Sequence, residues 1–216
     1  MTKVVDKVMS FEILIPTMKR FVAKKNSFYA GIQPGTQCIK YDGKYLQATD
    51  AYKTIKVKSN LIDLPSNDPF LFHVHEDKIL YTSSIQFPNI ERLYNLSTIG
   101  SITLTKKAIK EWKDVITDHQ KNTMDQEHFK FVVDSQSLSI VTDEGVSRFY
   151  NYELNIEEFE INLNADYLKK VLTSAYELLK LSTKDYIRIE FNDKLLPIQI
   201  TDDDAFQALL APYRTQ

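Results

Sequence analysis

The chain has 216 residues, 43% of them hydrophobic and 12% aromatic, with 27 Lys plus Arg against 29 Asp plus Glu for a net charge of −2. That composition describes a globular protein with a substantial core and excludes a fibre, a disordered tail or a surface uniformly basic toward nucleic acid. The single cysteine, Cys38, excludes an intrachain disulfide, and with only 5 Gly the chain carries neither a GxxxxGK[ST] nor a GxGxxG phosphate loop.

From the N-terminus, Lys7 to Ile13 alternates apolar with polar residues and predicts a strand, after which Pro16 suits the first position of a helix reaching about Lys25. Gln37–Tyr41 and Lys44–Ala48 flank Asp42-Gly43, a two-residue hairpin signal. Further strands are expected at Thr54–Lys58, Phe70–His75 and Lys78–Ser83. The pattern breaks at Asn95–Gly100 and restarts at Ser101 with a strand followed by a helix whose apolar stripe is Ala108, Ile109, Trp112, Val115 and Ile116. Strands follow at Phe129–Val133, Ser137–Val141 and Val146–Leu154. Asn164 is placed to cap a third helix buried along Leu168, Val171, Leu172, Ala175 and Leu179. Strands at Tyr186–Phe191, Leu196–Ile200 and Leu209–Ala211 close the chain.

Ala48-Thr49-Asp50 ends a strand in the first part and Val141-Thr142-Asp143 ends one in the second, while the strand, helix and hairpin order repeats with them. The expectation is an α+β chain of two similar domains, residues 1–98 and 99–216, each with helices packed on antiparallel sheets.

The charge is unevenly spread. Residues 16–25 carry Lys19, Arg20, Lys24 and Lys25 and no acid, and residues 105–121 and 165–180 are also net positive. On the second helix Lys106, Lys110, Lys113, Thr117 and Lys121 fall on one face, with Trp112 and Ile116 turned away. A lysine-dominated face of this kind suits sequence-independent phosphate contact more than bidentate reading of bases, although a solvated helix face has the same look. His73 and His75 share a strand face, but no third ligand at suitable spacing makes them a metal site. Asp202-Asp203-Asp204 lacks EF-hand spacing, Cys38 lies in a strand pattern, and no GxSxG elbow occurs. Neither an enzyme nor a cofactor is expected. No apolar run approaches the ~20 residues of a membrane span and Met1–Ser10 has no signal-peptide core, so a cytoplasmic location away from membranes is expected.

Several segments resemble the bacterial DNA polymerase sliding clamp family. Leu46–Lys53, Tyr81-Thr82-Ser83 and Phe87–Leu93 are similar to segments of that family's middle domain; Asn164–Leu168 and Ala211-Pro212-Tyr213-Arg214 are similar to segments of its last domain. The order matches, and the family's first domain has no counterpart. The resemblance implies a clamp fold and a non-enzymatic processivity factor that encircles duplex DNA without sequence preference, six domains being reached as a homotrimer in the phage-like manner. It implies that Lys19, Arg20, Lys24, Lys106, Lys110, Lys113, Lys121, Lys169 and Lys180 face DNA. It also implies a pocket for short peptide motifs of DNA polymerase and clamp loader, walled by Thr49, Ala51, Lys53 and Thr54, by Pro88, Arg92 and Leu93, and by Pro212, Tyr213 and Arg214. Ala51 and Lys53 stand where the family usually has Gly and Arg. Residues 60–70, with Pro65 and Pro69, offer at most a short turn where the family's domains have a second helix. The alternative expectation is a ringless clamp-like protein that binds replication-factor peptides without encircling DNA.

Overall fold

The computed structural model describes residues 8–81, 85–122, 128–133, 137–142, 145–149 and 159–213. The N-terminal alternation does not become a strand: β1 is only Met9–Ser10, and α1 runs Phe11–Lys19. Phe11, Leu14, Thr17 and Met18 recur at helical spacing and are the residues α1 buries, with the Phe11 ring meeting Phe70 and Phe72 edge-on at 5.8 and 5.4 Å. Helical burial on the tertiary core has won over a short period-2 pattern. Pro16 therefore sits inside the helix, not at its start, and both it and Glu12, whose carbonyl loses a donor, are exposed to water. Beyond Lys19 the chain continues as hydrogen-bonded turns, Phe21 N–H to Met18 O at 2.9 Å and Val22 N–H to Lys19 O at 3.2 Å, so Lys24 and Lys25 lie past the helix.

Ser27 caps the short α2, Phe28–Ile32, by accepting from Ala30 N–H. A tight turn at Pro34–Gln37 leads into β2 Cys38–Tyr41, β3 Tyr45–Thr49 and β4 Lys53–Lys58. The first hairpin is shifted by one residue from expectation. Tyr41 pairs with Leu46 and Asp42 N–H donates to Tyr45 O, so Gly43-Lys44 form the tip, with Gly43 at φ +95. A glycine of positive φ at the first central position is the signature of a type II′ turn, and the Asp42 carboxylate closes it by accepting from Lys44 and Tyr45 N–H.

The span from β4 to β6 holds a single 3-10 turn, Ser59–Leu61, and β5, Ile62–Asp63, which runs parallel to β1. β6 is Phe70–His73 and β7 Lys78–Leu80. Ser83, expected in the last of these strands, lies outside the described residues.

The second half is more regular: β8 Gly100–Thr105, α3 Lys106–Asn122, β9 His128–Val133, β10 Leu138–Thr142, β11 Gly145–Phe149, β12 Phe159–Asn164, α4 Ala165–Leu178, β13 Tyr186–Phe191, β14 Ile198–Thr201 and β15 Phe206–Leu210. β12 was absent from the sequence-based expectation, although Phe159, Ile161 and Leu163 alternate as the buried positions of a strand. β14 starts only after Pro197, and β15 begins earlier and ends one residue sooner than expected. Residues 150–154 and Asp143 lie outside the described residues. Asn164 caps α4, its Oδ1 accepting from Tyr167 N–H at 2.9 Å.

Two larger sheets result. One has nine strands in the order β7-β6-β2-β3-β4-β15-β14-β13-β8, and the other has four in the order β11-β10-β9-β12. The nine-stranded sheet crosses between the halves of the chain where β4 and β15 pair antiparallel, from Lys53↔Leu210 to Val57↔Phe206. Helices α1, α4 and α3 pack side by side in that order, with α1 against β3, α4 against β15 and β12, and α3 against β8. Buried between them are Leu14, Met18 and Phe21 from the first half and Trp112, Ile116, Leu168 and Val171 from the second. Among the described residues no helix is long and apolar enough to cross a membrane.

Candidate nucleic-acid interface and peptide pocket

Because α1, α4 and α3 pack as neighbours, Lys19, Lys106, Lys110, Lys113, Lys121 and Lys169 come from adjacent helices, whereas Arg20 and Lys24 follow the end of α1 and Lys180 follows the end of α4. Lys19, Lys24, Lys110, Lys121 and Lys180 are exposed, and Lys106, Lys113 and Lys169 are half-buried. Several are held in place. Lys110 and Lys113 on α3 lie 5.4 and 5.7 Å from the Tyr176 ring of α4, a cation–π geometry, and Lys169 donates to Gln120 Oε1 at 3.2 Å. Lys121 sits 3.7 Å from Asp118 on the exposed end of α3.

Arg20 is engaged differently from the others. Its guanidinium meets both oxygens of Glu177 on α4, at 2.7 and 3.1 Å, and reaches Ser174 Oγ at 3.3 Å. Thr17 donates to the same carboxylate at 2.7 Å. Burial works against the Glu177 charge, but these donors outweigh it and hold the carboxyl below its usual value. Arg20 thus ties α1 to α4, and its charge is spent on a neighbour.

The residues expected to form the peptide pocket fall on three stretches: the β3–β4 turn, residues 85–94, and the tail after β15. Thr49, Ala51, Lys53 and Thr54 surround the β3–β4 turn. Thr49 Oγ1 accepts from Ala51 N–H and donates to Lys53 O, while Asp50 Oδ1 accepts from Tyr52 and Lys53 N–H. Ala51 has φ +78, the left-handed region in which glycine alone is unstrained. Lys53 is only 2% exposed; its ammonium pairs with Asp50 and lies 4.4 Å from the Tyr167 ring of α4. Burial pushes the Lys53 pKa down, against the pull of Asp50.

Residues 85–94 run as a strap over the outer side of β2, β3 and β4. Glu91 bridges Gln47 and Lys56, each at 2.7 Å, and the Tyr94 hydroxyl meets Thr54 Oγ1 at 2.7 Å. Burial drives the Tyr94 pKa up. Pro88 and Leu93 are half-buried in this strap, whereas Arg92 is exposed. At the other side the tail leaves β15 with Ala211 N–H on Tyr52 O and Tyr213 N–H on Asn162 O, at 2.9 and 2.8 Å. Pro212 and Tyr213 line a cavity of about 350 Å³ with Lys130, Glu160, Lys194 and Leu195. Arg214 lies outside the described residues.

A second cavity, of about 360 Å³, opens on the helix side of the β4–β15 pair between the end of α1, the β3–β4 turn and the start of α4. Of the described residues expected in a peptide pocket, only Lys53 lines it. Its tyrosines, Tyr29, Tyr52 and Tyr167, carried no role in the sequence reading, although Tyr52 and Tyr167 lie within the segments that resemble the clamp family. The signal available was the aromatic run Phe28-Tyr29 following a basic run, which helical periodicity alone does not register.

Among the described residues no group of three or more His, Cys, Asp and Glu is arranged to hold a metal. His75 Nε2 meets Ala23 O at 2.9 Å, and Asp202 Oδ1 accepts three backbone N–H groups of its own turn. Burial, with Glu76 nearby, raises the Cys38 thiol to about 11, which leaves it inert as a nucleophile at neutral pH.

No protein-family model and no curated protein matches the sequence. Solved structures do. The DNA polymerase III β chain of Streptococcus pneumoniae superposes with a TM-score of 0.65 at 16% identity, over 94% of this chain and 63% of that one. The β subunits of Thermotoga maritima and Pseudomonas aeruginosa give 0.66 and 0.67, each at 14% identity, over 95% and 94% of this chain and 64% and 63% of theirs. The chain has the sliding-clamp fold. It spans a little under two thirds of the length of these clamps. Its class is α+β, with four α-helices and mainly antiparallel sheets among the described residues.

Proposed function

We propose that the protein is a non-enzymatic processivity factor that encircles duplex DNA and tethers a DNA polymerase and its loader through short peptides. The observation that supports this reading is that α1, α4 and α3 pack as neighbours, so that Lys19, Lys106, Lys110, Lys113, Lys121 and Lys169 of an acidic chain sit on adjacent helices of a sliding-clamp fold. Lysines on those helices give weak, exchangeable phosphate contacts, so the protein slides without preferring a sequence, while linkage around the duplex prevents escape. Two clamp-like domains, 1–98 and 99–216, would reach six per ring as a head-to-tail homotrimer. The partner peptide would lie along the β4–β15 seam against Thr49, Ala51, Lys53 and Thr54, with Pro88, Arg92 and Leu93 on one flank and Pro212, Tyr213 and Arg214 on the other. The setting is the cytoplasm of a bacterial or phage-infected cell.

Replacing Lys106, Lys110 and Lys113 together by Glu tests the reading. The triple variant is expected to keep its melting temperature and lose DNA-dependent stimulation of polymerase, and full stimulation would remove the argument from the basic helices. Light scattering tests the ring. Three chains of 25.1 kDa give about 75 kDa. A second reading, a ringless clamp-like protein that binds replication-factor peptides, is favoured by the single 3-10 turn between β4 and β5, because a lining short of one helix in each first half is a weaker wall around DNA. A persistent monomer that still binds peptide would select it.

A further inference from the structure

The tail after β15 and the strap of residues 85–94 are both irregular segments, but they are attached by different means. The tail is pinned by main chain, with Ala211 N–H on Tyr52 O and Tyr213 N–H on Asn162 O. Residues 86–94 share no backbone hydrogen bond with β2, β3 or β4 among the described residues, and the bond from Leu93 N–H to Ile90 O at 3.0 Å is internal to the strap.

Side chains hold the strap instead. Glu91 spans Gln47 and Lys56, the Tyr94 hydroxyl meets Thr54 Oγ1, and the Lys40 ammonium lies 5.7 Å from the Phe87 ring. Strand alternation explains why these contacts are polar. Ile39, Tyr41, Leu46, Ala48, Ile55 and Val57 turn to the core, which leaves Lys40, Gln47, Thr54 and Lys56 on the opposite face, under the strap. Ile90 is 4% exposed, yet it stands outside the contiguous apolar core. A segment seated on a polar face exchanges protein contacts for water contacts of similar strength when it lifts, so it opens at a small fraction of the cost of unfolding. The Glu91 and Lys56 side chains are 53% and 12% exposed, so dissolved salt reaches and screens their pair.

We infer that residues 86–94 form a releasable strap latched by Glu91: it lifts from β2, β3 and β4 and recloses while the sheets stay folded, and salt shifts it toward the open form. Resting on the peptide seam proposed above, a lifted strap withdraws Pro88, Arg92 and Leu93, so the latch sets whether that seam has both flanks.

The test uses neither peptide nor DNA and therefore stands apart from that reading. In a Cys38→Ala background, Ile90→Cys leaves the full chain with one thiol, placed in the strap. Its labelling by a disulfide reagent, corrected for a free thiol under the same conditions, is followed against urea and sodium chloride. Global unfolding is followed by the fluorescence of Trp112, the one tryptophan, which is fully buried. Labelling is expected to be flat in urea well below the unfolding midpoint, because a local opening exposes little surface, and to quicken with salt. Glu91→Gln keeps the shape and removes the charge; it is expected to speed labelling by roughly fivefold or more and to abolish the salt dependence. Should Ile90→Cys itself free the strap, seen as labelling at the rate of an unfolded thiol, Leu93→Cys at a half-buried position gives the same readout with Ile90 in place. Labelling that climbs with urea along the slope of global unfolding would overturn the inference, because the strap would then open only with the sheets. Equal rates with and without Glu91→Gln would overturn it as well, since Glu91 would not be the latch.

Discussion

The two halves of the chain reach a packed core with different amounts of material. In the second half, α3 and α4 cover two sheets, and β9 is held between β10 and β12. In the first half β2 occupies the corresponding central place, but its neighbours are β3 and β6. Between β4 and β6 the chain has a 3-10 turn and a two-residue strand in place of a full strand and helix. β6 lies beside β2, and β2, β3, β4, β6 and β7 all belong to the nine-stranded sheet, while β1 and β5 pair only with each other. The difference teaches how a half with fewer helices is completed: it leans on its neighbour. β4 is completed by β15, and α1 is tied to α4 through Arg20 and Glu177.

If the first half depends on the second in this way, damage to the second should be felt in both. Trp112 is fully buried on α3 with its ring 5.2 Å from Phe131. Trp112→Ala should cost about 3–5 kcal/mol through lost burial and the cavity left behind. Hydrogen exchange would show whether the amides of β3 and β4 open together with those of β9. Amides of the first half that stay protected while β9 exchanges would mean it stands alone.

The strap offers a test confined to the first half. A Cβ at Gly35 would lie 2.3 Å from Gln86 O and 2.8 Å from Phe87 Cα, both backbone atoms that cannot rotate away. Gly35→Ala should therefore lift the start of the strap and cost about 1–3 kcal/mol, read as a lower urea midpoint. An unchanged midpoint would show that the strap contributes little to the fold.

The α1–α4 tie is a smaller effect. Arg20→Ala removes a bidentate, partly solvent-screened pair and should cost about 1 kcal/mol. Because Glu177 is held below its usual value, its contribution is complete above the ordinary carboxylate pKa and disappears as pH falls through the lower, folded-state value. The stability gap between parent and Arg20→Ala should thus be constant at neutral pH and narrow below about pH 4. A gap that persists in acid would assign the loss to packing of the Arg20 stem.

The same contrast explains what was legible in the sequence. The second half has long periodic segments, and α3, α4, the Asn164 cap and β13 follow from local pattern. In the first half local signals compete: Met9, Phe11 and Ile13 alternate, yet Phe11 is buried against Phe70 and Phe72, residues far along the chain. The hairpin tip moved by one residue because the Asp42 carboxylate is used to close the turn, which dipeptide preference does not encode. For the candidate sites, the basic helix faces could be counted from sequence. That Arg20 pairs with Glu177 and that Tyr29, Tyr52 and Tyr167 line one cavity are facts of tertiary approach between residues distant in the chain.

The smallest predicted effect bears on the seam itself. Ala51 holds φ +78 because Thr49 and Asp50 fix the turn around it through their side-chain hydrogen bonds. An L-residue in that region costs roughly 1–2 kcal/mol relative to its right-handed alternatives. Glycine avoids the strain but loses more chain entropy on folding, by roughly 0.5–1 kcal/mol. Ala51→Gly should therefore stabilise by about 0.5 kcal/mol, a small rise in urea midpoint at constant slope. Ala51→Val, with a branched Cβ in the same conformation, should lower the midpoint. If glycine lowered it instead, Thr49 and Asp50 would not be enough to hold the turn, and the wall of the seam would be softer than its hydrogen bonds imply.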